Sequence, residues 1–176
     1  MTPSYLRPRL LAADDILDGF ECRSPEQTEW LAHHARRANA TGTAKVLVVT
    51  EQDAREVVAY YAWAMASITV DAAPARLRKG AGRYPQPVTL LARLGVDIAH
   101  ERRGLGAALL KDVIGRVAEL GTTIGCRGLL IHAETEAARD FYLHLIAEFE
   151  PSPTDPLHLV LLMKDVHHTL RASGLT

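Results

Sequence analysis

Two basic residues and two glycines sit together in His100-Glu101-Arg102-Arg103-Gly104-Leu105-Gly106-Ala107-Ala108-Leu109-Leu110. That combination suits anion binding. The free N–H groups at the start of a helix, with its positive dipole end, make a seat for an anion such as a pyrophosphate. Gly104 and Gly106 let the backbone approach that anion with no Cβ in the way. Arg102 and Arg103 add full charge beside it. A Gly-x-Gly pair at a strand-to-helix turn also occurs as plain turn chemistry, so this stretch alone leaves both readings open. The spacing of Phe141-Tyr142 fits the core stripe of an amphipathic helix. Glu134, Asp97 and His132 are general-base candidates by residue type only.

Charge is distributed unevenly. The net charge of −1 argues against a chain that coats nucleic acid. Yet the segment from Arg76 to Arg103 holds seven cations (Arg76, Arg78, Lys79, Arg83, Arg93, Arg102, Arg103) against Asp97 and Glu101. Polarised charge of this kind focuses an anionic partner onto one face. The alternative is a set of solvated loop charges. Arg93 falls in an apolar run and is open to a structural ion pair instead. Arg36 and Arg37, beside His33 and His34, read as a solvated face first and a phosphate contact second.

These residues need elements to position them. Val88 to Ile98 is apolar and β-branched and reads as a strand entering the glycine turn. Leu105, Leu109, Val113 and Val117 leave the turn at i, i+4 spacing, which predicts an amphipathic helix to Leu120. Upstream, Leu6 to Ala12 reads as a first strand weakened by Pro8, and Asp14 to Cys22 as a turn or short helix. Ser24-Pro25-Glu26-Gln27 is a helix start with a capping box, running through Trp30, Leu31, His34 and Ala38 until Asn39 to Gly42 stops it. Lys45 to Thr50 and Glu56 to Val70 read as an antiparallel hairpin. Asp71 to Pro87, with three prolines and two glycines, is a long loop with room for one helical turn. Gly128 to Ala133 is the next strand, and Thr135 caps a helix from Glu136 to about Ala147. Pro151 to Pro156 is a rigid turn, Leu157 to Met163 a last strand, and the tail from Lys164 a short helix.

The bulk numbers suit one domain spanning 1–176, with an apolar fraction of 48% that can fill one core. No apolar run approaches the roughly 20 residues of a membrane span. Residues 1–11 carry no export signal. Cys22 and Cys126 lie far apart and read as reduced thiols, which places the expected location in the cytoplasm.

The order strand, helix, hairpin, central strand, phosphate-type turn, helix, strand, helix, strand resembles the GNAT acyl-CoA-dependent N-acetyltransferases. Their signature, Q/R-x-x-G-x-G/A, reads here Glu101-Arg102-Arg103-Gly104-Leu105-Gly106. Both glycines match, and Glu101 departs from it. A closer resemblance, to the GNAT toxins of bacterial toxin–antitoxin pairs, covers nearly the whole chain. It rests on Leu91-Ala92-Arg93-Leu94-Gly95-Val96-Asp97, on His132-Ala133 followed by Ala137-Ala138-Arg139-Asp140-Phe141-Tyr142, and on Glu150-Pro151-Ser152-Pro153-Thr154-Asp155-Pro156-Leu157. The segment Leu143 to Phe149 departs, being slightly longer and lacking the usual Gly-Phe.

The resemblance implies an α/β (α+β) GNAT fold, with a mixed, mostly antiparallel central sheet, a splayed central strand pair and helices on both faces. It implies transfer of acetyl from acetyl-CoA to the α-amino group of aminoacyl-tRNA, with no metal. Other outcomes are a GNAT acting on a small amine or a protein N-terminus, and a non-catalytic acyl-CoA-binding partner of a DNA-binding antitoxin. In the toxin reading Tyr142 protonates the leaving CoA thiolate. Leu94, Val96, Arg102, Arg103, Gly104, Gly106 and Ala107 hold the CoA, with Val96 a main-chain partner of pantetheine. Arg76, Arg78, Lys79, Arg83 and Arg93 contact tRNA. The implied partners are a ribbon–helix–helix antitoxin, operator DNA through that antitoxin only, and a second copy in a homodimer. No membrane is implied.

Overall fold

A computed structural model describes residues 3–172. The order is β1 (Arg9–Leu10), α1 (Pro25–His33), α2 (Ala35–Thr41), β2 (Lys45–Thr50), β3 (Val57–Ile68), α3 (Ala75–Arg78), β4 (Gln86–Val96), α4 (Leu105–Leu120), β5 (Gly128–His132), α5 (Glu136–Leu145), β6 (Glu150–Pro151), β7 (His158–Leu162) and α6 (Met163–Ala172). Short 3-10 turns lie at Val70–Ala72 and Ile98–His100. The strands form one mixed sheet in the order β1-β2-β3-β4-β5-β7-β6, flanked by helices. Only β4 with β5 is parallel among the registered pairs; β1/β2, β2/β3, β5/β7 and β6/β7 are antiparallel. Two compact units are distinguished: Met1–Ala64 with Ala92–Leu110, and Met65–Leu91 with Lys111–Thr176.

In the first unit the core follows from the apolar run of β2, buried at every position after Lys45. Leu31 and Ala35, from α1 and α2, join Val46, Val48, Val57, Tyr60 and Ala62 in one cluster. Leu31 is 1% exposed, and truncating such a leucine to alanine costs about 2–5 kcal/mol. Tyr60 satisfies its buried hydroxyl by donating to the Gln27 carbonyl at 2.7 Å. Its ring takes the edge of Phe20 and stacks on Trp30. The single helix predicted from Ser24 to Ala38 is two helices. His34, at φ −125°, leaves the helical region, and Ala35 starts α2 fully buried. The second helix closes at Gly42 in the left-handed region, within the stop expected over Asn39 to Gly42. The strand predicted over Leu6 to Ala12 shrinks to two residues, because Pro8 has no N–H to contribute to a ladder. Asp14 to Cys22 forms no helix.

In the second unit Ile68, Ala73, Leu77, Val88, Leu130, Val160 and Leu162 form the core. A Cβ on Gly128 would run into the Leu161 carbonyl, so the residue that opens β5 must be glycine for β7 to pack this closely. The parallel register of β4 with β5 pairs Thr89 with Leu129, Leu90 with Leu130 and Leu91 with Ile131. β4 itself continues to Val96. Among the described residues no helix is long and apolar enough to cross a membrane.

Candidate functional site

The glycine turn lies in the first unit. β4 ends at Val96, and Asp97 caps the 3-10 turn by accepting from the Ala99 N–H at 2.9 Å. The other Asp97 oxygen accepts from the Glu21 N–H at 3.0 Å. This employs one of the general-base candidates in building the turn. The Asp97 and Ile98 amides donate to the Val58 and Glu21 carbonyls, so a pantetheine chain finds neither of them free. Arg102 and Gly104 both take left-handed backbone, at φ 63° and 80°. That conformation is natural for Gly104 and strained for Arg102. Among the described residues, the first amide of α4 to reach an acceptor is that of Ala108, donating to the Gly104 carbonyl at 3.0 Å. The amides before it, through Gly106 and Ala107, are the orphan donors of a helix start.

Side chains around the turn are fixed by partners the sequence did not indicate. Glu101 is held by Arg23 through two contacts of 2.7 and 2.9 Å. Arg103 donates to the Tyr5 hydroxyl at 2.9 Å, and that hydroxyl lies 2.7 Å from His100 Nδ1. Arg102 is exposed. A cleft of about 630 Å³ opens in the same unit, lined by Phe20, Glu21, Cys22, Arg23, Thr28 and Ile98.

The predicted phosphate contacts divide into two kinds. Arg93 pairs with Glu26 at 2.8 Å and lies over the Trp30 ring, which is the structural alternative left open for it. Arg36 donates to the Ala12 and Asp15 carbonyls. In the second unit Arg76 meets Glu150 at 3.3 Å and Asp165 at 2.8 Å. Arg78, Lys79 and Arg83 are exposed and, among the described residues, have no carboxylate partner. Their loop is tied from beneath. Gln86 donates to the Ala81 and Tyr84 carbonyls, and Arg127 holds Gln86 at 2.6 Å while reaching the Leu77 carbonyl.

Tyr142 lies in the same unit on α5, whose Thr135 cap accepts from Ala138 as predicted. The ring is 7% exposed, with Phe141 and Phe149 at its edges. Phe149, at the end of the segment Leu143 to Phe149, comes against the Tyr142 ring. Burial raises the phenol above its ordinary value, so it holds its proton at all physiological pH. Its hydroxyl has no hydrogen-bond partner among the described residues, which is uncommon for a buried tyrosine. His132 stacks on His158 at 3.8 Å, cross-strand, and desolvation with the neighbouring imidazole lowers its pKa. Ser152 anchors the Pro-Ser-Pro turn by donating to the Ala72 carbonyl at 2.6 Å. Among the described residues no cluster of three His, Cys, Asp or Glu is arranged to hold a metal ion.

The sheet order, the glycine turn before α4 and the strand–helix pair β5–α5 define an acyltransferase of the GNAT fold. No family model matches the chain. A curated relative from Mycobacterium tuberculosis, described as a tRNA-acetylating toxin, is 42% identical over 161 residues, covering 92% of this chain and 94% of the relative. The chain belongs to the family of these tRNA-acetylating toxins. Among solved structures, AtaT complexed with acetyl-methionyl-tRNAfMet superposes with a TM-score of 0.85 at 22% identity, covering 95% of this chain and 99% of that one. A tyrosine-to-phenylalanine variant of AtaT, bound to acetyl-CoA and the C-terminus of the antitoxin AtaR, gives 0.79 at 21% identity over 96% of this chain and 99% of that one. At such identities the solved structures speak for the fold.

Proposed function

We propose that this protein is an acetyl-CoA-dependent N-acetyltransferase toxin that acetylates the α-amino group of aminoacyl-tRNA and so stops translation. The observation that carries the reading is Tyr142: a largely buried ring whose hydroxyl keeps its proton and has no hydrogen-bond partner among the described residues. Such a group suits delivery of a proton to a thiolate as the thioester opens. The amine needs no dedicated base. With a reference pKa of about 7.7–8.0 a useful fraction is neutral at physiological pH, and alignment with the thioester can supply much of the rate.

The N–H groups at the start of α4, with Arg102, Arg103, Gly104, Gly106 and Ala107, take the pyrophosphate of acetyl-CoA. Leu94 and Val96, beyond the β5 register, take the pantetheine. Arg78, Lys79 and Arg83 supply the open charge for tRNA phosphates, a contact that positions without reading sequence. Arg76 and Arg93, already paired with Glu150, Asp165 and Glu26, supply no open charge to it. The whole chain acts as one functional domain in the cytoplasm, as a homodimer, neutralised by a ribbon–helix–helix antitoxin through which alone it meets operator DNA. The 42% identity to a tRNA-acetylating toxin over most of both chains supports the substrate class.

The test is a mass shift. Purified protein is incubated with acetyl-CoA and bulk charged tRNA, the products are digested with nuclease, and N-acetyl-aminoacyl-adenosine is sought. Its appearance is the expected result and also identifies the amino acid. CoA release with small amines or peptides, and none with charged tRNA, would overturn the reading.

A further inference from the structure

Arg103, in the glycine turn, donates a hydrogen bond to a side chain far away in sequence, as Glu101 accepts one from Arg23. The partner of Arg103, Tyr5, lies 98 positions away in sequence. Its backbone is fixed from both sides. The Leu6 N–H donates to the Thr50 carbonyl at 3.0 Å, the Gln52 N–H to the Ser4 carbonyl at 2.7 Å, and Tyr5 forms an antiparallel bridge with Glu51. Its ring meets His100 edge-on at 5.7 Å.

The donors and acceptors can be placed in order. A guanidinium only donates, so the Tyr5 oxygen accepts from Arg103. The Tyr5 proton then goes to His100 Nδ1, at 2.7 Å. This puts the imidazole proton on Nε2, on the side of Glu51, whose Oε1 lies 3.6 Å away, beyond hydrogen-bond length. His100, Tyr5 and Arg103 thus form one hydrogen-bonded string ending at the anion turn. Four N–H groups remain on Arg103 for a ligand.

We infer that Tyr5 and His100 are positioning residues for acetyl-CoA: they hold the Arg103 guanidinium in place for the pyrophosphate before the ligand arrives. An exposed arginine loses much of its rotamer freedom on binding, and a side chain already held loses less. The inference rests on the pyrophosphate site proposed above. It adds two residues from outside the signature to that site and gives the N-terminal segment a part in ligand affinity.

The experiment compares acetyl-CoA with S-acetylpantetheine, which carries the thioester but no pyrophosphate. Tyr5→Phe keeps the ring and its edge contact and removes the hydrogen bond. It is expected to weaken acetyl-CoA binding by about two- to tenfold, the scale of one such bond. KM for S-acetylpantetheine and kcat at saturating acetyl-CoA stay at wild-type values. In an Arg103→Gln background the same substitution has no further effect, which a merely structural role would not produce. His100→Leu, which removes the acceptor for the Tyr5 proton, gives the same pattern should Tyr5→Phe lower the thermal midpoint. Unchanged acetyl-CoA affinity in a folded Tyr5→Phe protein, equal loss for both thioesters, or the same loss with Arg103→Gln present would overturn the inference. Failure of the wild-type protein to bind acetyl-CoA would instead sink the acetyltransferase reading, so the two failures are distinct.

Discussion

Arg23 closes on Glu101 through Nε and Nη2, at 2.7 and 2.9 Å, and so engages the acidic residue at the first position of the glycine signature. The hydrogen bond from Arg23 holds the Glu101 carboxyl below the usual carboxylate range. Its negative charge is therefore present at neutral pH, next to a turn built for an anion, and is matched by Arg23. Replacing Arg23 should leave that charge unmatched. Arg23→Gln is expected to weaken acetyl-CoA binding by a factor of about 2–5, the scale of a charge contact at an exposed site. Adding Glu101→Gln should restore it. Calorimetric titration of the two single variants and the double variant checks this; a double variant as weak as Arg23→Gln would mean that Arg23 acts in some other way.

Tyr142→Phe isolates the proposed proton donor. No hydrogen bond among the described residues is lost, so thermal stability and acetyl-CoA affinity should stay near wild type. The transfer rate should fall by about 10²–10⁴, the usual worth of a positioned acid. Burial raises the phenol, so the wild-type rate should climb as the substrate amine loses its proton and show no decline from Tyr142 below about pH 10. A pH–rate profile on charged tRNA reads both points. A Tyr142→Phe enzyme that retains full rate and growth arrest would remove the residue from the mechanism.

Regular periodicity made most of this fold legible. β2 and α4 run from Lys45 to Thr50 and from Leu105 to Leu120, where a β-branched apolar run and i, i+4 spacing put them. The break at His34 was not legible, because nothing in the local pattern marks it; the burial of Ala35 is a tertiary outcome. The turn was readable from Gly104 and Gly106, but its supports were not. Arg23 reaches Glu101 across 78 positions, and Tyr5 reaches Arg103 across 98. Likewise, a count of cations marked Arg76 and Arg93 together with Arg78 and Lys79. Only folding brings Glu150 and Asp165 to Arg76, and Glu26 to Arg93.

That division among the cations predicts unequal effects. Arg78→Glu with Lys79→Glu should weaken tRNA binding and flatten its salt dependence by about one unit of log–log slope per lost phosphate contact, leaving acetyl-CoA binding intact. Arg76→Gln should act on folding instead, because it leaves Glu150 and Asp165 facing each other without their shared partner. Filter binding across a salt series, with a thermal melt of each variant, separates the two. Equal loss of tRNA and acetyl-CoA binding in the Arg78/Lys79 variant would mark misfolding rather than a lost contact.

Asp15 offers a pH test of the first unit. Its side chain is 1% exposed and accepts from Arg9 at 2.6 and 2.8 Å and from the Ala12 N–H at 2.7 Å. Burial, the largest single influence, pushes the carboxyl up. The Arg9 and Ala12 hydrogen bonds, with the charges of Arg9 and Arg36, together pull it further down, so the folded value lies below the ordinary one. A depressed carboxyl stabilises the fold above its unfolded pKa of about 3.9 and loses that contribution as pH falls through the folded value. Asp15→Asn should therefore cost about 1–3 kcal/mol at pH 7, the scale of a hydrogen bond to a charged group whose Arg9 partner is half exposed. The gap to wild type should narrow as pH drops below about 4, where the wild-type carboxyl also gains its proton. Urea unfolding at pH 7, 5 and 3 measures this. A constant gap across that range would mean that Asp15 supports the fold by its shape and hydrogen bonds, with no contribution from its charge.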